Sequence, residues 1–143
     1  MQLERKEYAQ AENSLRKSLE RKRDPGVLND LAWVLAEIGE FDKAEELVME
    51  ALKLNDQIGT AWDTLAVILM KRGKLPEAGD GLKKALALAP DNPYIQVHMA
   101  QYYEKTGKLA KAVELADSLL SHPVGLSLSD QNELRRIGRS VNR

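Results

Sequence analysis

Residues 61–93 read AWDTLAVILMKRGKLPEAGDGLKKALALAPDNP, and this stretch decides the fold. Two apolar segments of helical spacing flank Gly73, and the layout recurs 34 residues earlier and later. Gly39, Gly73 and Gly107 form one column. Leu31, Leu65 and Met99 form another, as do Ala32, Ala66 and Ala100; Leu35, Leu69 and Tyr103; and Ala44, Ala78 and Ala112. A period of this length, with small residues at fixed slots, is the mark of stacked two-helix units, each too small to bury its apolar face alone.

Local signals divide each period into two helices. In residues 26–58, Val27, Leu28, Leu31, Val34, Leu35 and Ile38 recur at helical spacing. Gly39 then ends that helix, because a glycine just past the last turn adopts the left-handed conformation that closes it. The following helix, near 42–54, turns Ala44, Leu47, Val48, Ala51, Leu52 and Leu54 inward. Asp24-Pro25 and Asn92-Pro93 each supply a side-chain cap followed by a proline at the first helical position, and Pro76 suits the start of another helix. The alanine columns let helices approach closely while leucines and aromatics fill the gaps between them.

Composition agrees. The chain has 143 residues, 43% of them hydrophobic, enough for one domain with a continuous core. A net charge of −1 argues against general electrostatic binding to nucleic acid or membrane. The charge is uneven: residues 26–58 carry 8 acidic against 2 basic side chains. No cysteine occurs, which removes disulfides, thiolate ligands and a cysteine nucleophile from these residues. The longest uninterrupted apolar run, Leu65 to Met70, is too short to span a bilayer.

The segments 28–54, 61–93 and 97–120 resemble tetratricopeptide repeats, of the bacterial type and whole or as a fragment of a longer protein. Trp62, Leu65, Ala66, Leu69, Gly73, Ala78, Leu82, Ala85 and Pro90 stand at that family's signature slots. The outer units depart from the pattern, with Leu28 and Asp56 in the first, and Gln96 and Leu119 in the third. The resemblance implies an all-α, right-handed superhelical solenoid of antiparallel helix pairs. Its units are a half repeat at 4–22, repeats at 26–58, 59–92 and 93–121, and a capping helix at 126–141. Tyr8, Ala11, Leu15, Ser18 and Leu19 place 4–22 as a second helix whose first helix is absent. Such a helix is expected to expose the face its partner would cover, which points to a fragment of a longer array or to self-association. In the cap, Asp130 is read as the N-cap with Glu133 reaching back, Leu134, Ile137 and Val141 facing inward, and Arg135, Arg136 and Arg139 facing water.

Chemistry finds little purchase. His98 and His122 are the only histidines, and a metal would need carboxylates from elsewhere in the fold. The acidic pairs Glu45-Glu46 and Glu37 with Glu40 fall on outward helix positions and read as a solvated face. Gly79 and Gly81 lack the strand and Lys-Ser/Thr of a phosphate loop. They cost roughly 1 kcal/mol each against alanine, so either that helix frays or something packs against its backbone. The string RRIGRSVNR has no interleaved aromatic residue and reads as a solubilised cap rather than a nucleic-acid contact.

The expectation is therefore a non-enzymatic scaffold without cofactor or metal, whose partner is a protein or peptide segment, with no nucleic acid and no membrane. In arrays of the family it resembles, first helices line a concave groove. Carried over, that groove presents Asn29, Trp33, Asp63, Val67, Met70, His98 and Gln101, with Asp30, Ala36, Glu37, Thr64, Lys71, Tyr94 and Lys105 beside them. Trp33 is read either as an anchor for the partner, continued by Val67 and Met70, or as packed against the neighbouring helix. Some adaptors of this family hold the C-terminal carboxylate of heat-shock chaperones with lysine, arginine and asparagine; the comparable slots here hold no arginine and no paired lysine, which disfavours that ligand. A neutral or basic amphipathic helix suits the acidic rim better. Two alternatives stand beside this reading: self-association through the unpaired N-terminal helix, giving a homo-oligomer, and recruitment on behalf of a larger enzyme. The compartment is not encoded; the cytoplasm is the default, a periplasmic or membrane-tethered setting the alternative for a fragment.

Overall fold

The computed structural model describes residues 2–140. They form α1 (Gln2–Arg21), α2 (Pro25–Glu37), α3 (Phe41–Leu54), α4 (Gly59–Lys71), α5 (Leu75–Leu88), α6 (Pro93–Lys105), α7 (Leu109–Ser121) and α8 (Leu128–Arg139), with no strand among the described residues. Helices α2 and α3, α4 and α5, and α6 and α7 pack as antiparallel pairs. The first helices α2, α4 and α6 also touch one another in succession. Helix α8 packs on α7 and α6 as the first helix of another pair would.

The glycine column explains the pairing. Gly39, Gly73 and Gly107 have φ of 87°, 77° and 80°, and each turn carries the same two backbone bonds. In the first, Gly39 N–H donates to the Ala36 carbonyl at 3.1 Å and Glu40 N–H to the Leu35 carbonyl at 2.8 Å. This closure satisfies carbonyls the helix end leaves free and reverses the chain in three residues. The caps at the other ends behave as expected. Asp24 accepts from the amides of Gly26 and Val27, at 2.8 and 3.2 Å, and Asn92 from those of Tyr94 and Ile95, at 3.0 and 3.2 Å.

At α8 the reading is corrected. Its N-cap is Ser127, whose hydroxyl oxygen accepts from the Asp130 amide at 3.0 Å while its O–H donates to the Asp130 carboxylate at 2.7 Å. The cap therefore lies three residues before the expected one, and Asp130 is the reciprocal acidic partner. Glu133 does not reach back; it accepts from Arg136. Val141 lies outside the described residues.

Two apolar clusters fill the interior. The larger runs from Leu19 through Leu28, Leu35, Val48, Ile68 and Leu82 to Ile95 and Met99. The smaller gathers Val97, Ala100, Ala112, Ala116, Leu119, Leu126, Leu134 and Ile137. Helix α6 is the seam, offering Ile95 and Met99 to one and Val97 and Ala100 to the other. Trp62 is half-buried against the larger cluster; its indole N–H donates to the Asp56 carbonyl at 2.8 Å and the Lys84 ammonium sits 4.3 Å from its ring centroid.

The glycine pair in α5 reflects close packing rather than fraying. A Cβ on Gly79 would lie 2.7 Å from Cζ of Tyr102, and closer still to its hydroxyl. One on Gly81 would meet the Ala66 Cβ at 3.3 Å. Helix α1 departs from expectation in another way. Its exposed residues, from Glu4, Arg5 and Lys6 to Lys17, Ser18 and Arg21, are polar or charged except Ala9. The apolar face that motivated self-association is absent from the described residues of this helix.

Candidate functional site

The first helices present one face as a concave surface, and a cleft of about 350 Å³ opens on it. Helix α2 supplies Asn29, Asp30 and Trp33; α4 supplies Thr60, Asp63 and Thr64; α6 supplies Tyr94 and His98; and α8 supplies Asp130. Asp30, Thr64 and His98, each 34 residues after the last, reach the same space because the repeat superposes equivalent turns of α2, α4 and α6.

The centre of the cleft is an ion-pair geometry. His98 Nδ1 lies 2.8 Å from both carboxylate oxygens of Asp63, so Nδ1–H is the donor and Nε2 the free ring nitrogen. Both side chains are largely covered, at 15% and 9% exposure. The Trp33 ring stands 6.1 Å from that of His98, tilted by 43°. Trp33 is 36% exposed and lines the cleft. Tyr94 is 47% exposed. Burial, helped by the charge of Asp24, pushes the Asp30 carboxyl above its usual range. Thr64 donates its hydroxyl to the Thr60 carbonyl at 2.9 Å, so His98 does not hold it as a nucleophile.

Of the residues expected on this surface, Asn29, Trp33, Asp63 and His98 come together in the cleft. Val67 and Met70 do not: each is 6% exposed and belongs to the larger core. Helix α4 is covered by α2, α5 and α6, which buries the side that was expected to extend the apolar strip. Ala36 is buried as well, at 2% exposure. Gln101 lies under α8 and donates to Glu133 at 3.5 Å, away from the cleft. Sequence reasoning missed Thr60, in the first turn of α4, and Asp130, whose place depends on α8 standing in as a fourth first helix.

The C-terminal arginines are partly engaged. Arg136 donates to Glu104 at 2.6 and 3.0 Å and to Glu133 at 2.7 and 3.0 Å, while Arg135 bonds Asn132 at 3.0 Å. Among the described residues no group of three or more His, Asp or Glu side chains is placed to hold a metal ion. No described helix is long and apolar enough to cross a membrane.

Comparison with known proteins bears on this geometry. A family model described as tetratricopeptide repeat matches residues 2–57 and 29–93, and a second of the same description matches 69–123. Interferon-induced protein with tetratricopeptide repeats 3 of Mus musculus is 30% identical over 115 residues, covering 78% of this chain and 28% of that one. The chain spans 28%, 17% and 10% of the first three curated relatives it matches. Among solved structures, a thermophilic tetratricopeptide repeat protein of Thermus thermophilus superposes with a TM-score of 0.75 at 21% identity, over 95% of this chain and 75% of that one. The first repeat domain of Spaghetti (RPAP3), bound to the HSP90 peptide SRMEEVD, gives 0.69 at 17% identity, over 84% and 94%. At such identities these structures speak for the fold, and the family models speak for descent. The chain belongs to the tetratricopeptide repeat family.

Proposed function

We propose that this chain is a non-catalytic scaffold that binds a peptide or helix of a partner protein on the face made by α2, α4 and α6, with Trp33 as its main anchor. Members of this family are generally interaction scaffolds, and the RPAP3 domain holds a peptide. The observation that carries the reading is Trp33 itself. A large ring is kept 36% exposed at the wall of a concave cleft, beside a buried Asp63–His98 pair that fixes its surroundings. Aromatic side chains in such places supply much of the binding energy of interfaces.

Two features speak for binding over catalysis. The His98–Asp63 pair has its hydroxyl neighbour Thr64 turned to a backbone carbonyl. Among the described residues no Lys or Arg lines the cleft, so a developing anion would find no cation from them there. The same lack disfavours a chaperone-tail carboxylate as ligand.

The test is affinity capture from the source organism with three baits: the unaltered chain, Trp33→Ala, and Met49→Ala, which truncates a side chain 52% exposed outside the cleft. Circular dichroism verifies that both variants keep their helices. The expected result is one protein retained by the unaltered and Met49→Ala baits and lost by Trp33→Ala. Undiminished capture by Trp33→Ala removes this face from the interaction.

A further inference from the structure

The lining of the cleft carries more negative than positive charge. Asp30, Asp63 and Asp130 belong to it, and among the described residues the sole basic group in the lining is His98, already committed to Asp63. A second observation is independent of these carboxylates. Asn29 is 7% exposed and lines the cleft, yet its Oδ1 has no hydrogen-bond partner. Its Nδ2 reaches only Thr60 Oγ1, at 3.5 Å. Leaving a buried acceptor unpaired costs about 1–3 kcal/mol, which favours a ligand that brings a donor to this side chain. The unsatisfied groups of this space are thus acceptors or anions, and what is missing is a donor with positive charge. The aromatic faces agree, since exposed Trp33 and Tyr94 attract a cation through their ring quadrupoles.

We propose that the cleft is a subsite for one cationic side chain of the partner segment, with arginine preferred over lysine. This deepens the groove reading and rests on it. A guanidinium is planar, stacks on an indole and carries five donors in a fixed fork, which suits a carboxylate and an amide oxygen beside a ring; an ammonium offers three donors from one point. Burial and the nearby charge of Asp24 raise the Asp30 carboxyl, and a cation bound beside it would act in the opposite direction.

The test uses the two tryptophan indole N–H signals of the ¹⁵N-labelled protein, assigned with Trp62→Phe. The protein is titrated with N-acetyl-arginine N-methylamide and with the citrulline compound, which has nearly the same shape and no charge. The arginine compound is expected to move the Trp33 signal saturably while the Trp62 signal stays put, and the citrulline compound to bind about tenfold more weakly. Asp30→Asn, at an exposed position that spares the fold, is expected to weaken arginine binding several-fold, with circular dichroism unchanged. Equal response to citrulline, an unmoved Trp33 signal, or unaltered affinity in Asp30→Asn overturns the cationic subsite. These failures are separable from failure of the groove reading: loss of partner capture by Trp33→Ala with no arginine response rejects the cation alone, whereas undiminished capture by Trp33→Ala rejects both.

Discussion

The larger apolar cluster is centred on α4, which has helices packed on both sides of it, whereas the smaller one lies at the end of the array and is closed at its far end by α8. Helix α4, at the centre of the first, buries ten of its thirteen residues; α8, at the edge of the second, buries Leu134 and Ile137. Buried apolar area scales with stabilisation, so the two regions differ in how firmly their walls are held. The consequence falls on the cleft. Three of its walls stand on the larger cluster or on α6, and the fourth, Asp130, is in place only while α8 is docked.

The strongest way to break this contrast is a matched pair of truncations. Ile68→Ala and Ile137→Ala each empty a fully buried site, at a cost of about 2–5 kcal/mol if the cavity does not collapse. Ile68→Ala is expected to lower the midpoint of the whole thermal transition. Ile137→Ala is expected to show in hydrogen exchange as lost protection of α8, with α2 to α5 still protected. Equal loss across the chain in both variants would mean that the clusters melt as one.

Gly79→Ala sharpens the comparison at the seam, where α5 meets α6. A helix gains roughly 0.5–1 kcal/mol from glycine to alanine, but overpacking costs roughly 1–3 kcal/mol, and the new methyl would press on the Tyr102 ring. The net is a destabilisation of about 1 kcal/mol in urea unfolding. In a Tyr102→Leu background the same change is expected to become neutral or stabilising; a penalty undiminished there would point to another obstacle.

The smallest effect is predicted for Arg136, which links α8 to α6 through Glu104 and pairs Glu133 within α8. These groups are partly exposed, so Arg136→Ala is expected to cost below about 1 kcal/mol. The hydrogen bond from Arg136 holds the Glu133 carboxyl below its usual range, with the Arg136 charge and Gln101 adding to it. A folded-state value below the unfolded one gives stability that is complete above the unfolded value and lost as pH falls through the folded one. The midpoints of wild type and Arg136→Ala should therefore converge on acidification; a gap that persists in strong acid would deny this pair its role.

Much of the fold is readable from the chain because its rule is local. A glycine at each turn, a capping Asp or Asn before a proline, and the alanine columns each act within a few residues of themselves. The cleft was only partly readable. Asn29, Trp33, Asp63 and His98 follow from their places on first helices, and the Asp63–His98 pair lies one period plus one residue apart. Val67 and Met70 resisted because periodicity gives the apolar side of α4 without saying how many neighbours cover it. Asp130 resisted because an acid near the start of an apolar run looks like a cap, and Ser127, three residues earlier, competes for that role through its own hydroxyl. Gly79 had no visible reason until the ring of Tyr102, from the next unit, was seen to occupy the space.

The three turn glycines carry one more consequence. No atom outside their immediate chain neighbours lies within 4 Å of the point where a Cβ would stand on Gly39, Gly73 or Gly107. What forbids a side chain there is handedness, since an L-residue at positive φ sets its Cβ against its own backbone. An alanine of mirror-image chirality favours that same quadrant and would point into open space. It would also narrow the unfolded ensemble, an effect worth about 0.4–1 kcal/mol for each glycine replaced at a compatible site. At these three points the limit on stability is stereochemical, set by the genetic code's single hand of amino acid rather than by any contact in the fold.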